Sequence, residues 1–301
     1  MSAFKSGLVA LIGRPNAGKS TLLNALMGEK LVITSPRPQT TRNAIRCIRT
    51  DAASQMVFVD TPGVHRPNNR LDEAMKQAIN DTLEDVDVAL YLMDSALKKI
   101  TPEDQYIQKI IQKKKAPVIL VLNKIDQIPK SALLEKMDWA KKQGIFADIM
   151  AVSAVKSDGV DALIRRIQEL LPEGPMYFPD DMVIDKSERF IASEIIREKA
   201  LKYLRDEVPH GIAVEVTKMH DRKGKHGKTV VDIEADIECE KKSHKGIIIG
   251  KGGAMLKKIG SDARQEIEGF LGKKVNLQLW VKVRPKWRDD DWALKDLGYR
   301  Y

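Results

Sequence analysis

Residues 13–20 read GRPNAGKS, following the apolar run Leu8–Ile12 and opening the amphipathic run Ser20–Met27. A short branched run reads as a buried strand, and apolar residues spaced three and four apart read as a helix. A strand that turns through glycines into a helix aims successive backbone N–H groups and a helix N-terminus at one point, which is the geometry that holds phosphate. The pattern G-x-x-x-x-G-K-[ST] then gives each residue a task. Gly13 and Gly18 permit close backbone approach, Lys19 reaches the terminal phosphates of a nucleotide, and the Ser20 hydroxyl binds magnesium. The expected phosphate-binding segment is Gly13, Arg14, Pro15, Asn16, Ala17, Gly18, Lys19, Ser20 and Thr21.

Outward from this segment, Met56–Val59, Val88–Met93, Val118–Leu122 and Ile149–Val152 are further strand-like runs. Helical stretches such as Leu71–Leu83, Pro102–Gln112 and Val160–Leu170 separate them. Strand and helix in alternation predict an α/β domain, a mostly parallel sheet with helices on both faces. Such sheets bind ligands at the C-terminal ends of their strands, and three more motifs fall there. In DTPG, formed by Asp60, Thr61, Pro62 and Gly63, Asp60 is placed to hold a magnesium-bound water and the Gly63 N–H to meet a γ-phosphate, with Val64 next. In NKID, formed by Asn123, Lys124, Ile125 and Asp126, the Asp126 carboxylate accepts from the ring N–H and exocyclic amine of guanine, a donor pair that adenine lacks. The Lys124 stem covers the base and Asn123 ties it to the phosphate loop. Ser153 and Ala154 complete the set, the Ala154 N–H suiting guanine O6.

These motifs, with PQTTR at Pro38–Arg42, resemble the translation-factor-related GTPases. The resemblance implies GTP and GDP as ligands, and a PQTTR threonine that closes over the γ-phosphate and magnesium. Thr41 is the expected residue, with Thr40 the alternative. It also exposes a departure. Ras-like enzymes carry a water-orienting glutamine where this chain has Val64, whose side chain makes no hydrogen bond, so slow intrinsic hydrolysis is expected. Several relatives with an apolar residue there use potassium, held partly by a phosphate-loop asparagine. Asn16 matches that position, so potassium is expected beside magnesium. Lys19, Asn16, Thr41 and Gly63 form the expected catalytic set, while His65 and Arg66 read as solvated residues of a switch loop.

Pro172, Pro175 and Pro179 mark the clearest boundary, giving a nucleotide-binding domain over residues 1–172, a linker over 173–186 and a second domain over 187–301. Past the boundary, Glu188–Glu207 reads as a helix. Val231, Ile233, Ala235, Ile237 and Cys239 alternate with Asp232, Glu234, Asp236, Glu238 and Glu240, a half-buried strand whose acids are expected to face solvent. Ile212–Val216 and Val275–Val283 read as two more strands, and Gly224–Gly227 as a hairpin turn. Ile247–Leu271 reads as helix, glycine turn, helix.

Of three G-x-x-G matches, only Gly250–Gly253, reading GKGG, lies between two helices. That is how a KH domain presents its loop to a nucleic-acid backbone, and the element order is that of the type II KH fold. Lys241, Lys242, Lys245, Lys251, Lys257 and Lys258 form one acid-free basic stretch, and Lys273, Lys274, Lys282, Arg284, Lys286 and Arg288 another. The expected RNA-binding residues are Lys245, Ile247, Ile248, Gly250, Lys251, Gly252, Gly253, Lys257, Lys258 and Lys282. Trp280 is expected to stack a base or to pack beneath a terminal helix, packing being the favoured reading. The PQTTR switch, the Pro-rich link, the GKGG loop and the ending WVKVRPKWRDDDWALKDLGY at residues 280–299 together resemble the Era family of bacterial GTPases over essentially the whole chain. That resemblance implies a cytoplasmic protein, partly associated with anionic membrane, that binds the 3′ end of 16S rRNA and assists assembly of the 30S subunit.

Composition bounds these readings. The chain has 301 residues, 51 Lys plus Arg against 42 Asp plus Glu, and a hydrophobic fraction of 43%, which fits folded domains rather than disorder or coiled coil. Two cysteines exclude a disulfide scaffold and a cysteine zinc site, and fit a reducing compartment. Apolar runs such as Ala116–Leu122 are far shorter than the roughly 18 residues a membrane span needs, and Met1–Gly7 lacks the pattern of an export signal. The net charge of +9 is compatible with an anionic partner. An RNA-modifying enzyme and a peripheral membrane adaptor are the competing classes; against the first, the C-terminal half offers no cofactor motif.

Overall fold

The computed structural model describes residues 3–97, 99–224 and 229–299. The chain divides into two compact units, Met1–Asn68 with Asp72–Asp185, and Asn69–Leu71 with Lys186–Tyr301.

In the first unit six strands lie in the order β2-β3-β1-β4-β5-β6. They are β1 (Lys5–Gly13), β2 (Ile45–Thr50), β3 (Ser54–Asp60), β4 (Val88–Asp94), β5 (Val118–Asn123) and β6 (Asp148–Val152). All pairings are parallel except β2 with β3. Helices α1 (Lys19–Met27), α2 (Arg70–Thr82), α3 (Pro102–Ile111), α4 (Lys130–Gln143) and α5 (Val160–Leu170) connect them. The central strands are buried along nearly their whole length, as continuous apolar runs covered on both faces must be. Helix starts follow local chemistry: Pro102 opens α3 behind a capping box in which Thr101 and Asp104 satisfy each other's backbone N–H.

β2 escapes the sequence reading because Arg46 and Arg49 interrupt its apolar pattern. Its outer edge is covered by the Pro-rich segment expected to be a linker. The Ile48 N–H donates to the Val183 carbonyl at 2.9 Å and the Asp185 N–H to Arg46 at 3.1 Å. Gln55 accepts from the backbone N–H groups of Tyr177 and Phe178 at 2.7 and 3.0 Å. The edge of the sheet needs hydrogen-bond partners, and this segment supplies them.

The second unit holds a three-stranded sheet ordered β7-β8-β9, with β7 (Ile212–Lys223) antiparallel and β9 (Lys274–Val283) parallel to β8 (Thr229–Cys239). Helices α6 (Glu188–Tyr203), α7 (Lys242–Ile249) and α8 (Ala254–Leu271) accompany it, with α9 (Asp291–Asp296) following β9. The turn expected at Gly224–Gly227 falls on residues 225–228, outside the described residues. The acids of β8 do not all face solvent: Asp236 and Glu238 are buried because β8 is the central strand, and Asp236 accepts from Lys282 of β9 at 2.6 Å. Trp280 is also corrected. It is 44% exposed, and the buried tryptophan is Trp287, whose Nε1 donates to the Gly211 carbonyl at 3.0 Å and whose ring stacks on Tyr299. The two cysteines, Cys47 and Cys239, are free and buried.

Candidate functional site

The strand ends Gly13, Asp60 and Asn123 lie along one edge of the first sheet. Lys19, nearly buried, donates from Nζ to the Gly13 and Arg14 carbonyls at 3.1 and 3.2 Å. Burial lowers its pKa to about 8, against the attraction of Asp60. The hydroxyls of Ser20 and Thr41 both donate to Asp60 Oδ2 at 2.8 Å and stand 3.0 Å from each other. Thr40 instead donates to the Arg37 carbonyl at 2.7 Å, so Thr41 is the PQTTR threonine that stands with Ser20 on Asp60.

Asp60 is fully buried, desolvation raises its pKa, and its Oδ1 has no hydrogen-bond partner among the described residues. Two hydroxyls and a carboxylate, all hard oxygen donors with one oxygen still unsatisfied, fit Mg2+. Gly63 lies so close to the loop that a Cβ would sit 2.8 Å from Pro15 Cα, so this contact requires glycine. Asn16 is exposed at the loop tip with φ of 63°, and Thr21 lines the same cavity as Ser20 and Thr41.

Three expected phosphate-side residues are used elsewhere. The Arg14 guanidinium stands 3.6 Å from buried Asp104, which also accepts from the Tyr91 hydroxyl at 3.0 Å. Thr61 donates to the Leu11 carbonyl at 2.6 Å. The Val64 side chain belongs to the apolar cluster with Ile12, Ile79 and Tyr91, and only its N–H reaches the loop, donating to Gly13 at 3.0 Å. Pro62 and Ala17 are buried, Ala17 offering its carbonyl.

That carbonyl accepts from Asn123 Nδ2 at 2.9 Å, and Asn123 Oδ1 accepts the Ala154 N–H at 3.1 Å. A Cβ on Gly18, where φ is 95°, would lie 2.3 Å from the same amide. Asp126 is exposed and accepts from the Ser153 hydroxyl at 2.6 Å, a bond that lowers its pKa and keeps it ionised. Lys124 takes a left-handed backbone beside half-buried Ile125 and pairs with Asp94 at 2.6 Å. Sequence reading missed Asp94, whose signal is its place at the end of β4. His65 is corrected as well: it is fastened to Gly63 and Asp72 rather than solvated.

In the second unit Gly250, Gly252 and Gly253 have φ of 72°, 58° and 79°, a turn that needs glycine. A Cβ on Gly250 would meet Met255 Cβ at 2.7 Å, whereas Gly252 and Gly253 have open space. The loop thus presents bare backbone at the N-terminus of α8. A groove of about 400 Å³ runs from Gly253 between α8 and the edge strand β9, past Leu256, Lys257, Arg264 and Leu279. Gly260 permits that approach, since a Cβ there would meet Leu279 at 3.2 Å. Sequence reading missed this β9 wall.

The two basic stretches differ. Lys273, Lys274, Lys282, Arg284 and Arg288 pair with Asp221, Glu268, Asp236, Asp296 and Glu240. Lys241, Lys242, Lys245, Lys251 and Lys257 make no ion pair within 4.0 Å among the described residues, and Lys258 lies over the Tyr203 ring. Two assignments fail on placement. Ile248 is fully buried while Ile247 is half exposed. Lys282 follows buried Val281 on β9 and so points to the opposite, acidic face.

The model of a family described as 50S ribosome-binding GTPase matches residues 8–124, and a KH domain model matches residues 207–288. GTPase Era of Clostridium beijerinckii is 50% identical over 297 residues, covering 99% of this chain and 98% of its own. GTPase Era of Thermoanaerobacter sp. strain X514 is 51% identical over 295 residues, covering 98% and 96%. A crystal structure of Era in complex with MgGDPNP and nucleotides 1506–1542 of 16S ribosomal RNA is 40% identical with a TM-score of 0.94, covering 99% of this chain and 100% of that one. With a P-loop GTPase domain followed by a KH domain, matched over its whole length, the chain belongs to the Era family of GTPases.

Proposed function

We propose that this GTPase is a nucleotide-driven switch that binds the 3′ end of 16S rRNA through the groove beside its GKGG loop and assists assembly of the 30S subunit. One observation carries the reading: Lys251 within the loop and Lys257 on the groove wall, neither in an ion pair among the described residues, flank an open glycine backbone at the mouth of a groove lined by Leu256, Leu277 and Leu279, where single-stranded RNA finds phosphate partners and base contacts together. The solved relative bound to nucleotides 1506–1542 of 16S rRNA supports that choice of RNA.

In the nucleotide site, the phosphate loop encloses the β- and γ-phosphates and Lys19 turns from the Gly13 and Arg14 carbonyls to meet them. Asp126 selects guanine, and Asn123 keeps base and phosphate sites in register. Ser20, Thr41 and Asp60 would hold Mg2+, which would supply positive charge beside the γ-phosphate. Thr41 and Gly63 report the γ-phosphate from their two segments, and hydrolysis releases them. Val64 stands where Ras-like enzymes carry the glutamine that orients water, so turnover is slow, and Asn16 would help hold a K+ that would supply part of the missing charge. Equal turnover in sodium and potassium buffers removes the potassium role.

The protein acts in the cytoplasm, and its unpaired lysines also meet anionic lipid. No helix among the described residues is long and apolar enough to cross a membrane. The deciding experiment measures binding to an RNA matching nucleotides 1506–1542 and to a scrambled control, with GTP analogue, GDP and no nucleotide. Preference for the native RNA that changes with nucleotide supports the switch. Equal affinity for both RNAs in all three states refutes it.

A further inference from the structure

The switch region contains a contact set that neither the loop motifs nor the metal site uses. His65 Nδ1 lies 2.9 Å from the Gly63 carbonyl and Nε2 lies 3.2 Å from Asp72 Oδ1. Gln39 Nε2 also lies 3.4 Å from His65 Nε2 and can donate to it when the ring is neutral. The ion pair with Asp72 forms only when Nε2 carries a proton as well as Nδ1, because a carbonyl and a carboxylate only accept. The same Asp72 oxygen accepts from Gln39 Nε2 at 2.7 Å, and Asp72 Oδ2 accepts the Asn68 N–H at 2.9 Å. Asp72 is 2% exposed, so its carboxylate needs these donors. Gln39 belongs to PQTTR, two residues before Thr41, and holds a left-handed φ of 61°.

We propose that His65 is a positioning residue for GTP hydrolysis: as an imidazolium it fastens the Gly63 carbonyl to Asp72, and through Asp72 to Gln39, holding the segments that carry Gly63 and Thr41 as one unit. The His65 ring borders a cavity of about 570 Å³ formed with Arg66 and Pro67 beside it, Lys76 on α2, and Glu103 and Tyr106 on α3. Of the charged groups facing it, Asp72 alone is within hydrogen-bond distance; Lys76, Arg66, Glu103 and the more distant Lys19 surround the contact. The Asp72 bond raises the imidazole pKa above its ordinary value, against desolvation. The imidazolium clasp is therefore complete at low pH and is lost as pH rises through that raised value. The proposal rests on GTP hydrolysis alone and is independent of the RNA partner.

The test is kcat and KM for GTP hydrolysis by the full chain with Mg2+ from pH 6 to 9, for the wild type, His65→Asn and Asp72→Asn. The wild-type kcat is expected to fall through an inflection above 6.5. His65→Asn loses that inflection, and Asp72→Asn moves it to lower pH. Asp72→Asn also lowers kcat about tenfold below the inflection, one charge-assisted hydrogen bond, with KM within about twofold. An inflection that neither variant moves belongs to another group, such as Lys19, and overturns the proposal. So does a change in KM with kcat intact. Should a variant fail to fold, nitrogen-15 NMR of the wild-type His65 ring with GDP bound decides: two protonated nitrogens at pH 6.5 are expected, and a neutral ring at that pH overturns the proposal.

Discussion

Asn123 donates from Nδ2 to the Ala17 carbonyl at 2.9 Å, joining the strand end that meets the base to the loop that meets the phosphates. Its Oδ1 holds the Ala154 N–H, and the residue is 2% exposed. Asn123→Ala strands two backbone groups, each costing about 1–3 kcal/mol if it stays buried and unpaired. GDP affinity should fall on the order of tenfold to a hundredfold, and the melting temperature should drop by several degrees. Calorimetric titration and thermal melts check this; unchanged affinity would show that the tie does not organise the site.

Asp126 offers guanine two acceptor oxygens from a carboxylate kept ionised by Ser153. Asp126→Asn replaces one acceptor by a donor, which suits xanthine, whose C2 carries an oxygen in place of the amine. GTP affinity should fall by roughly a hundredfold, the scale of one or two charged hydrogen bonds, while XTP affinity rises. Competition of both nucleotides against a fluorescent analogue measures the exchange. Equal loss for GTP and XTP would place base selection on another residue.

Much of this site is legible in the sequence because each motif is contiguous and ends a strand, so Lys19, Ser20, Asp60 and Asn123 come together whenever the parallel sheet forms. What sequence hides is contact between segments. Asp94 and Asp104 are ordinary acids in the sequence, yet they hold Lys124 and Arg14. His65 reads as exposed because Asp72 and Gln39, seven and 26 residues away, are not neighbours in the chain. In the KH unit, alternation gives the strands but not which one is central. That choice buries Asp236 against Lys282 and takes Lys282 away from the loop.

Lys19 carries a pKa of about 8 because burial disfavours its charge. Its ordinary value is 10.5, so between these values the folded site holds fewer protons than the unfolded chain and stability without nucleotide rises with pH. A bound phosphate reverses the preference by pairing with the ammonium. Nucleotide binding at pH 9 should therefore take up close to one proton, and at pH 7 almost none from this group. Calorimetry in buffers of different ionisation enthalpy counts the protons. An uptake at pH 9 that persists in Lys19→Ala would assign it elsewhere.

The same total of lysines can bind RNA strongly or weakly depending on which ones already have partners. Lys251 and Lys257 flank Gly252 and make no ion pair among the described residues, whereas Lys273 and Lys282 are held by Asp221 and Asp236. A lysine that releases counterions from single-stranded RNA contributes about 0.7 to the slope of log affinity against log salt. Replacing Lys251 and Lys257 together by Ala should lower that slope by about 1.4, and replacing Lys273 and Lys282 together should leave it nearly unchanged. Gly252→Asp meets no neighbouring atom, and its left-handed φ of 58° costs an Asp less than most residues, while it sets a negative charge where a phosphate must lie, so it should abolish binding with GTP hydrolysis intact. Filter binding from 50 to 300 mM salt separates the cases. If the Lys273 and Lys282 pair lowers the slope as much as the Lys251 and Lys257 pair, the RNA path crosses the acidic face of the sheet and not the groove.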